Sequence, residues 1–278
     1  MLKGHMNKFG LSFKLRAWFM ALMVPVFVAG CGSGGMDNPA PNEGGQTSGP
    51  PPTAAGAGQG LGSGRGPAPL NLGTSANYVI LTVNALTNKP PSVVTGNIGL
   101  TKQRGSLIGL TCTEVSGEIV TIDRTRTLPC SRTDSAGLLQ GELDADDAYN
   151  DALARTADYN ELADGNIGGL NLGPATYAWS GAVTIDSNLR LTGGPNDVWI
   201  LRMHEQLNVS PGVQIILQGG ALPQNVFWAP RATVEVGSAV RFQGILLPAA
   251  PVFMGNGASI NGKLLAAEVH LDQNTVGP

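Results

Sequence analysis

Leu191-Thr192-Gly193-Gly194, Leu217-Gln218-Gly219-Gly220 and Phe242-Gln243-Gly244 close three similar apolar runs near the C-terminus. Their first glycines, Gly193, Gly219 and Gly244, are almost evenly spaced, and a buried-looking run such as Val198-Trp199-Ile200-Leu201 follows each closure. Spacing of this kind, with apolar and polar residues alternating between glycine turns, is typical of stacked β-coils. Because one coil cannot bury its own apolar face, the pattern predicts a repetitive β fold from about Pro174 to Pro278.

The composition agrees with a turn-rich β fold and argues against nucleic-acid binding. The 278 residues include 39 glycines, and only 13% of them are charged and 5% aromatic. The formal net charge is −3, but residues 1–31 contain four basic residues and no acidic one. Without that segment, 13 basic residues face 20 acidic ones, which gives −7. A protein that binds nucleic acid needs a basic surface, which this chain lacks.

Residues 1–31 are typical of a bacterial export signal. Lys14 and Arg16 precede an apolar run from Ala17 to Val28 that is too short to cross a bilayer as a mature helix. The run ends in Val28-Ala29-Gly30-Cys31, which resembles the lipobox of bacterial lipoproteins, where the cysteine is acylated. The alternative is an ordinary signal peptide with a chance cysteine. The residue after Cys31 is glycine and not aspartate, which in such lipoproteins permits transport to the outer membrane.

The next segment, residues 32–70, is predicted to be a disordered tether. It consists mainly of Gly, Pro, Ser, Ala and Asn, with almost no large apolar residue. Such a segment cannot bury enough surface to offset the entropy lost on ordering. The run Pro50-Pro51-Pro52 makes part of it stiffer. We therefore expect the tether to hold a folded domain, residues 71–278, away from a membrane.

Regular structure is predicted to begin with two strands, one at Tyr78–Val83 and one within Ser92–Leu100, where β-branched and aromatic residues are concentrated. The segment 111–133 is predicted to be a cap insertion closed by a disulfide between Cys112 and Cys130, because an exported chain meets an oxidising compartment. A loop of this size gives roughly 3 kcal/mol in the chain-entropy treatment of disulfides. Two unpaired thiols are the alternative, and a metal site is disfavoured because no histidine lies near either cysteine.

A helix is predicted over residues 134–157, with Asp134 or Ser135 as its N-cap. Four aspartates lie largely on the side opposite the apolar residues, and no calcium-loop spacing is present. We interpret them as a solvated helix face and not as a cation site. The apolar face repeats at helical spacing and consists of Leu138, Ala145, Ala148, Tyr149, Ala152 and Leu153.

The order of these segments resembles the ice-binding protein family, whose domain was long catalogued as one of unknown function. The resemblance covers roughly residues 70–278. It implies a mainly β fold: a right-handed β-solenoid of triangular cross-section, with one long α-helix alongside and a small disulfide-containing cap insertion. It also implies that the N-terminal strands stack beside the C-terminal coils, and that one flat face binds ice. The motifs that carry it are Val94–Gly99, Ala148-Tyr149-Asn150, Gly168-Gly169-Leu170, Pro174–Tyr177, Asp197–Ile200, Asn225–Trp228 and Asn261–Ala266.

The physics of such a face favours short polar side chains at regular spacing. Threonine serves well because its methyl and hydroxyl groups hold ordered water and its χ1 is stiff. The repeated Thr-Ala/Gly-any-Thr/Asn pattern of the family's most active faces is absent from residues 71–278, and charged residues such as Glu235 and Arg241 also alternate outward. The residues predicted to contact ice are Thr184, Asn208, Ser210, Gln214, Thr233, Ser238, Ser259 and Asn261.

Catalytic and metal sites are not expected. His204-Glu205 and the pair Glu268 and His270 are isolated, whereas such sites need several converging groups. The aromatic residues Tyr177, Trp179, Trp199 and Trp228 lie in apolar runs and are expected in the core.

Two functions remain open. The first is a non-enzymatic, surface-tethered ice-binding protein that is monomeric, needs no cofactor, and contacts the membrane only through an acyl group on Cys31. The second is an adhesion or structural module of the cell envelope that uses the same fold for another ligand.

Overall fold

The computed structural model describes residues 64–101, 106–123 and 128–278, and the predicted export signal, Cys31 and the predicted tether up to residue 63 lie outside them. Within these ranges the chain forms one α-helix, α1 (Ser135–Ala154), and short 3₁₀ turns at Gly73–Asn77, Leu162–Gly165 and Pro223–Asn225. The strands are β1 Ile80–Lys89, β2 Val93–Val94, β3 Ile98–Leu100, β4 Ser106–Ile108, β5 Ile119–Thr121, β6 Ser131–Thr133, β7 Tyr159–Asn160, β8 Asn171–Leu172, β9 Thr176–Trp179, β10 Val183–Ile185, β11 Leu189–Thr192, β12 Trp199–Met203, β13 Leu207–Val209, β14 Ile215–Gln218, β15 Val226–Pro230, β16 Val234–Val236, β17 Arg241–Leu246, β18 Val252–Met254, β19 Ser259–Asp272 and β20 Thr275–Gly277.

All strand pairings are parallel and form three ladders, which are the three faces of a β-solenoid. Face A contains β7, β9, β12, β15, β17, β19, β1, β3, β5 and β6 in that order. Face B contains β10, β13, β16, β18, β19, β1 and β4. Face C contains β8, β11, β14, β17, β19, β20 and β2. This arrangement, with one helix alongside, confirms the predicted fold class.

The coil length implied by the glycine spacing holds for the first coils and then falls. Val183 pairs with Leu207, and Leu207 pairs in turn with Val234, at intervals close to the predicted one. Val234 then pairs with Val252, which follows it much sooner in the chain. The change occurs at the corner between faces C and A. The first coils turn this corner through loops such as 219–225, whereas β17 and β19 each continue from face C to face A without a loop.

Two stacked glycines make this direct passage possible. Gly244 and Gly262 are paired, and both have positive φ values, of 114° and 149°. A Cβ atom on Gly262 would lie 1.9 Å from the carbonyl oxygen of Gly244. Glycine is therefore required at this corner both for the backbone conformation and for the close approach of the two coils.

The interior of the solenoid is filled by large apolar side chains. Tyr177, Trp179, Trp199 and Trp228 are each at most 1% exposed, as predicted. The three indole nitrogens donate to the carbonyl oxygens of Leu162, Leu172 and Gln243 at 2.9–3.2 Å. These rings are thus satisfied parts of the core and cannot stack on a ligand.

Helix α1 packs against the outward side of face A. Asp134 is the N-cap, as predicted, and its carboxylate accepts a hydrogen bond of 2.9 Å from the Gly137 amide. The helix ends at Ala154, slightly before the predicted end, and Arg202 Nη1 donates to the carbonyl of Leu153 in the last turn. Buried helix residues meet outward apolar residues of face A, in a cluster containing Leu138, Ala148, Ala152, Leu81, Ile200, Phe227 and Leu265.

The N-terminal strands complete the stack beside the C-terminal coils, as the resemblance implied. β1 lies between β19 and β3, so the chain's beginning continues the ladder of its end on faces A and B. The predicted disulfide joins Cys112 and Cys130 at 2.04 Å. The predicted cap insertion contributes β5 and β6, which extend face A beyond β3.

The segment 64–70 differs from its prediction as part of the disordered tether, because it packs on the domain. Arg65 forms an ion pair of 3.0 Å with Asp197, and Leu70 is only 5% exposed. We call residues 64–77 the strap. The packing of residues 64–70 was missed because a single arginine and a single leucine, in a run rich in Gly and Pro, do not change the composition. No helix within the described ranges is long and apolar enough to cross a lipid bilayer.

Substituting Gly262 with alanine should lower the unfolding free energy by about 2 kcal/mol or more, because it forces both a strained φ and a clash with the Gly244 carbonyl. Urea denaturation followed by circular dichroism measures this loss. Gly181→Ala is the matched control, since its Cβ would meet no atom within 4 Å and its φ is not in the left-handed region. Equal stability of the two variants would contradict the role of the corner.

Candidate functional site

Faces B and C are the two faces of the solenoid with polar outward residues. Face A is covered by α1 and by the strap, and its outward side chains, such as Ile200, Phe227 and Leu265, are buried and apolar. Within the described residues, faces B and C are therefore the two faces open to a large planar ligand. Both consist of stacked parallel strands about 4.8 Å apart, so their outward side chains form rows along the solenoid axis.

Face B has one continuous central row. The row consists of one outward side chain from each of six strands, and strand pairing places each of these side chains directly beside the next. In β10, β13, β16 and β18, the residue of the row lies between two buried apolar residues of the same strand. Ser210 and Thr233 flank this row, one after β13 and one before β16, and both are half-buried. The central row is Thr184, Asn208, Glu235, Phe253, His270 and Thr87.

Part of this row is held rigidly by ring stacking. The rings of Phe253 and His270 are 4.6 Å apart and tilted by only 5°. His270 Nδ1 shares a hydrogen bond of 2.8 Å with Thr87 Oγ1, and its Nε2 lies 3.5 Å from a carboxylate oxygen of Glu268. Phe253 is still 39% exposed. Three consecutive strands therefore present fixed side chains to the solvent.

Most charged groups on face B are also held in place. Hydrogen bonds from Asn166 and Ser187 lower the pKa of Asp186 below its ordinary value. Asp272 accepts from Asn256 and pairs with Lys89 at 2.9 Å, and these contacts lower the pKa of the Asp272 carboxyl. Both carboxylates are thus ionised at neutral pH and fixed in orientation. Glu235 is exposed in the middle of the row.

Face C has shorter rows with long side chains. Its central row passes through Asn171, Arg190 and Ile216 and, across a single bridge, continues at Gln243 and Asn261. A neighbouring row contains Gln214, Arg241, Ser259, Thr275 and Val93. Arg190 and Arg241 are exposed, and neither forms an ion pair with another described residue.

The structure does not bring all the predicted ice-contacting residues together. Thr184, Asn208, Ser210 and Thr233 lie on face B, and Ser238 lies in the turn between faces B and C. The remaining three, Gln214, Ser259 and Asn261, lie on face C. Alternation along the sequence shows which residues point outward but not on which face, because each coil visits all three faces and the coils differ in length.

The row on face B also contains residues that sequence reasoning did not assign to the site. Thr87 lies 183 positions before its neighbour His270, so only strand pairing reveals their contact. Phe253 lies between the buried residues Val252 and Met254, and this alternation in the sequence could have indicated that its side chain points outward.

The two His/acid pairs do not converge on one site. His204 and Glu205 are exposed after β12, far from Glu268 and His270 in the ladder order. No group of three or more His, Cys, Asp or Glu side chains among the described residues is placed to hold a metal ion.

Known proteins resemble this chain both in sequence and in structure. The model of the ice-binding-like family matches residues 80–277. An ice-binding protein from a Colwellia species is 38% identical over 209 residues, covering 74% of this chain and 83% of the relative. One from Flavobacterium frigoris is 36% identical over 209 residues, covering 74% and 75%. Among solved structures, an ice-binding protein with antifreeze activity from an Arctic yeast superposes with a TM-score of 0.68 at 28% identity, covering 76% of this chain and 94% of the other. The chain therefore belongs to the ice-binding-like family.

Proposed function

We propose that this protein binds the surface of ice crystals through face B. The observation that carries the proposal is the central row from Thr184 to Thr87, which pairs strand by strand without a break. The names of the relatives and the activity of the Arctic yeast protein support ice as the ligand. Ice binding requires no catalytic group or cofactor, and we propose none.

Face B suits ice better than face C because its outward side chains, apart from that of Glu235, are short or held in place. Thr184, Asn208 and Thr233 are short, and Phe253 and His270 are stacked on each other. Long unpaired side chains such as Arg190 and Arg241 keep their own hydration and move, which disturbs a water lattice. The fixed rise along a strand and fixed gap between strands give the short groups of face B a regular spacing at which to order water.

A non-enzymatic adhesion module for another ligand is the second candidate. The observation in its favour is a shallow groove on face B that is lined by the exposed Phe253 ring and by Glu235, Asn208 and Asp272. An aromatic ring beside hydrogen-bonding groups is a common way to bind a sugar. Absence of ice activity in the intact protein would favour this candidate.

We further propose that the domain is held at the outer membrane or cell surface by acylation of Cys31, acts as a monomer, and reaches the ice through residues 32–63. The lipobox-like sequence before Cys31 supports this anchoring. The tether segment itself has too little apolar surface to hold a membrane.

Asn208→Tyr should strongly reduce inhibition of ice recrystallisation, because a bulky ring in the central row lifts the flat face away from the crystal. Gln243→Tyr is the matched control, since Gln243 is also a half-buried amide in a central row, but on face C. Both changes should alter stability by no more than about 0.5 kcal/mol. A larger loss of activity in the Gln243 variant would assign ice binding to face C.

Glu235→Gln should raise ice affinity, because it removes the exposed carboxylate from the middle of the row and, with it, a tightly held hydration shell. Thermal hysteresis and the fraction of protein incorporated into a growing ice hemisphere measure the change. Asp147→Asn removes the same charge from the exposed side of α1 and should have no effect. Equal gains in both variants would mean that net charge matters and not the position on face B.

Cys31→Ala should move the protein from the membrane fraction to the soluble fraction, because it removes the proposed site of acylation. Fractionation and mass analysis of the N-terminal peptide measure this. Unchanged membrane association, with no acyl mass on Cys31 in the natural sequence, would contradict lipid anchoring.

A further inference from the structure

The strap fixes the point at which the chain enters the folded domain. Gly64 lies against Asn196, and the Val198 amide donates a hydrogen bond of 3.0 Å to the Arg65 carbonyl. Both partners belong to the corner between β11 on face C and β12 on face A. In a three-faced solenoid, this corner is the edge opposite face B.

From this edge the strap runs along face A beside α1. Leu70 is buried in the apolar cluster beneath the helix, and the Thr74 amide donates to Asp144 of α1 at 2.5 Å. At the far end, Lys263 Nζ donates to the carbonyls of Ala76 and Tyr78 at 2.8 and 3.1 Å. The strap therefore spans from the level of β12 to the level of β19 and covers part of the apolar outward side of face A.

The start of the strap is held by a dense set of contacts to one carboxylate. Asp197 Oδ1 accepts from the Arg65 amide at 2.6 Å, and Oδ2 accepts from Arg65 Nε and Nη2 at 3.2 and 3.0 Å. Oδ2 also accepts from the Gly194 amide at 2.8 Å. The Asp197 side chain is only 7% exposed, whereas that of Arg65 is 54% exposed.

These contacts keep Asp197 charged at neutral pH. Burial acts to raise the pKa of this carboxyl, but the hydrogen bonds from the Arg65 and Gly194 amides and from the Arg65 guanidinium outweigh it, and the pKa is lowered. A buried carboxylate that accepts from two backbone amides and a forked guanidinium is a rigid, geometrically specific contact.

We propose that this contact, which we call the Arg65–Asp197 clamp, is a mechanical anchor for the domain. Force applied through the preceding chain reaches the domain at this contact, on the edge opposite face B. The clamp therefore keeps residues 64–72 on face A when a cell and an ice crystal are pulled apart. Peeling of this segment would uncover Leu70 and the part of the apolar outward side of face A that the strap covers. The inference deepens the proposed function, because it rests on ice bound at face B and a surface attached through the preceding chain.

Single-molecule pulling on the full-length chain tests the clamp without ice. In protein produced without acylation, one handle is attached to the free thiol of Cys31 and the other to the thiol introduced on face B by Asn208→Cys, since Cys112 and Cys130 are bridged. With the clamp intact, the force–extension curve should show no step before the domain unfolds as a whole. Asp197→Asn should add an earlier step at lower force with an extension of up to about 30 Å, which is the full length of the released segment 64–72 when extended.

Two further variants keep the test decisive. Arg65→Gln leaves the amide bond to Asp197 and should give the same early step at an intermediate force, and it replaces Asp197→Asn should that variant fail to fold. Asp272→Asn is the control, because it breaks the ion pair with Lys89, which lies away from the strap. It should give the same force–extension curve as the protein with an unaltered clamp. An early step in the unaltered protein, or its absence from both clamp variants, would overturn the proposal.

Failure of the clamp and failure of ice binding are distinguishable. Asp197→Asn should keep the full recrystallisation inhibition of the free protein in solution, because face B is untouched. An early step in a protein without ice activity would support the anchor and refute the ice-binding function. Full ice activity, together with no early step in the clamp variants, would support the ice-binding function and refute the anchor. Loss of solution activity in Asp197→Asn would show that the contact shapes the whole domain and would refute a purely mechanical role.

Discussion

The parallel pairing of β1 with β19 is the interaction on which the rest of the structure depends. It joins the N-terminal strands to the last coil and makes the ladders of faces A and B continuous. Without it, both ladders would end at β19 with a row of unpaired backbone groups. The pairing also places Thr87 beside His270, and a hydrogen bond from Thr82 Oγ1 to the Ala267 carbonyl, at 2.9 Å, secures the bend between the two faces.

The three faces have different roles because their outward residues differ. Face A carries large apolar side chains outward, and it is therefore covered by α1 and the strap. Each such side chain contributes roughly 1.5–3 kcal/mol when it is removed from water. Faces B and C carry polar residues outward and stay open. The same coil thus supports one face that packs against the helix and the strap and two faces that stay open to solvent.

Much of the fold follows from short patterns in the sequence. The stacked glycines Gly193 and Gly219 revealed the coils, and the spacing of Leu138, Ala148 and Ala152 revealed α1. The disulfide between Cys112 and Cys130 was predicted from the export that residues 1–31 indicate. These features are local, or depend on a single pair of residues, and so they can be read without knowing which strands are neighbours.

The division of the candidate site was not predictable in the same way. Asn208 and Ser259 look equivalent in sequence, since both alternate with buried residues, yet they lie on different faces. The difference arises at Gly244, where the coil shortens, so that Ser259 and all later positions shift relative to the earlier period. The strap was missed because its contacts depend on Arg65 reaching Asp197, 132 residues away, which no local pattern indicates.

The pairing of β1 with β19 also bears on when this protein can fold. Contacts such as that between Thr87 and His270 join residues 183 positions apart, so the ladders cannot close before the last coil has been synthesised. Chains dominated by such distant parallel pairings fold slowly, because the entropy of closing a long loop is lost before the contacts form. A slowly folding chain remains extended for longer after synthesis. That delay fits the export that residues 1–31 predict, because a chain can be threaded across a membrane only before its two ends meet.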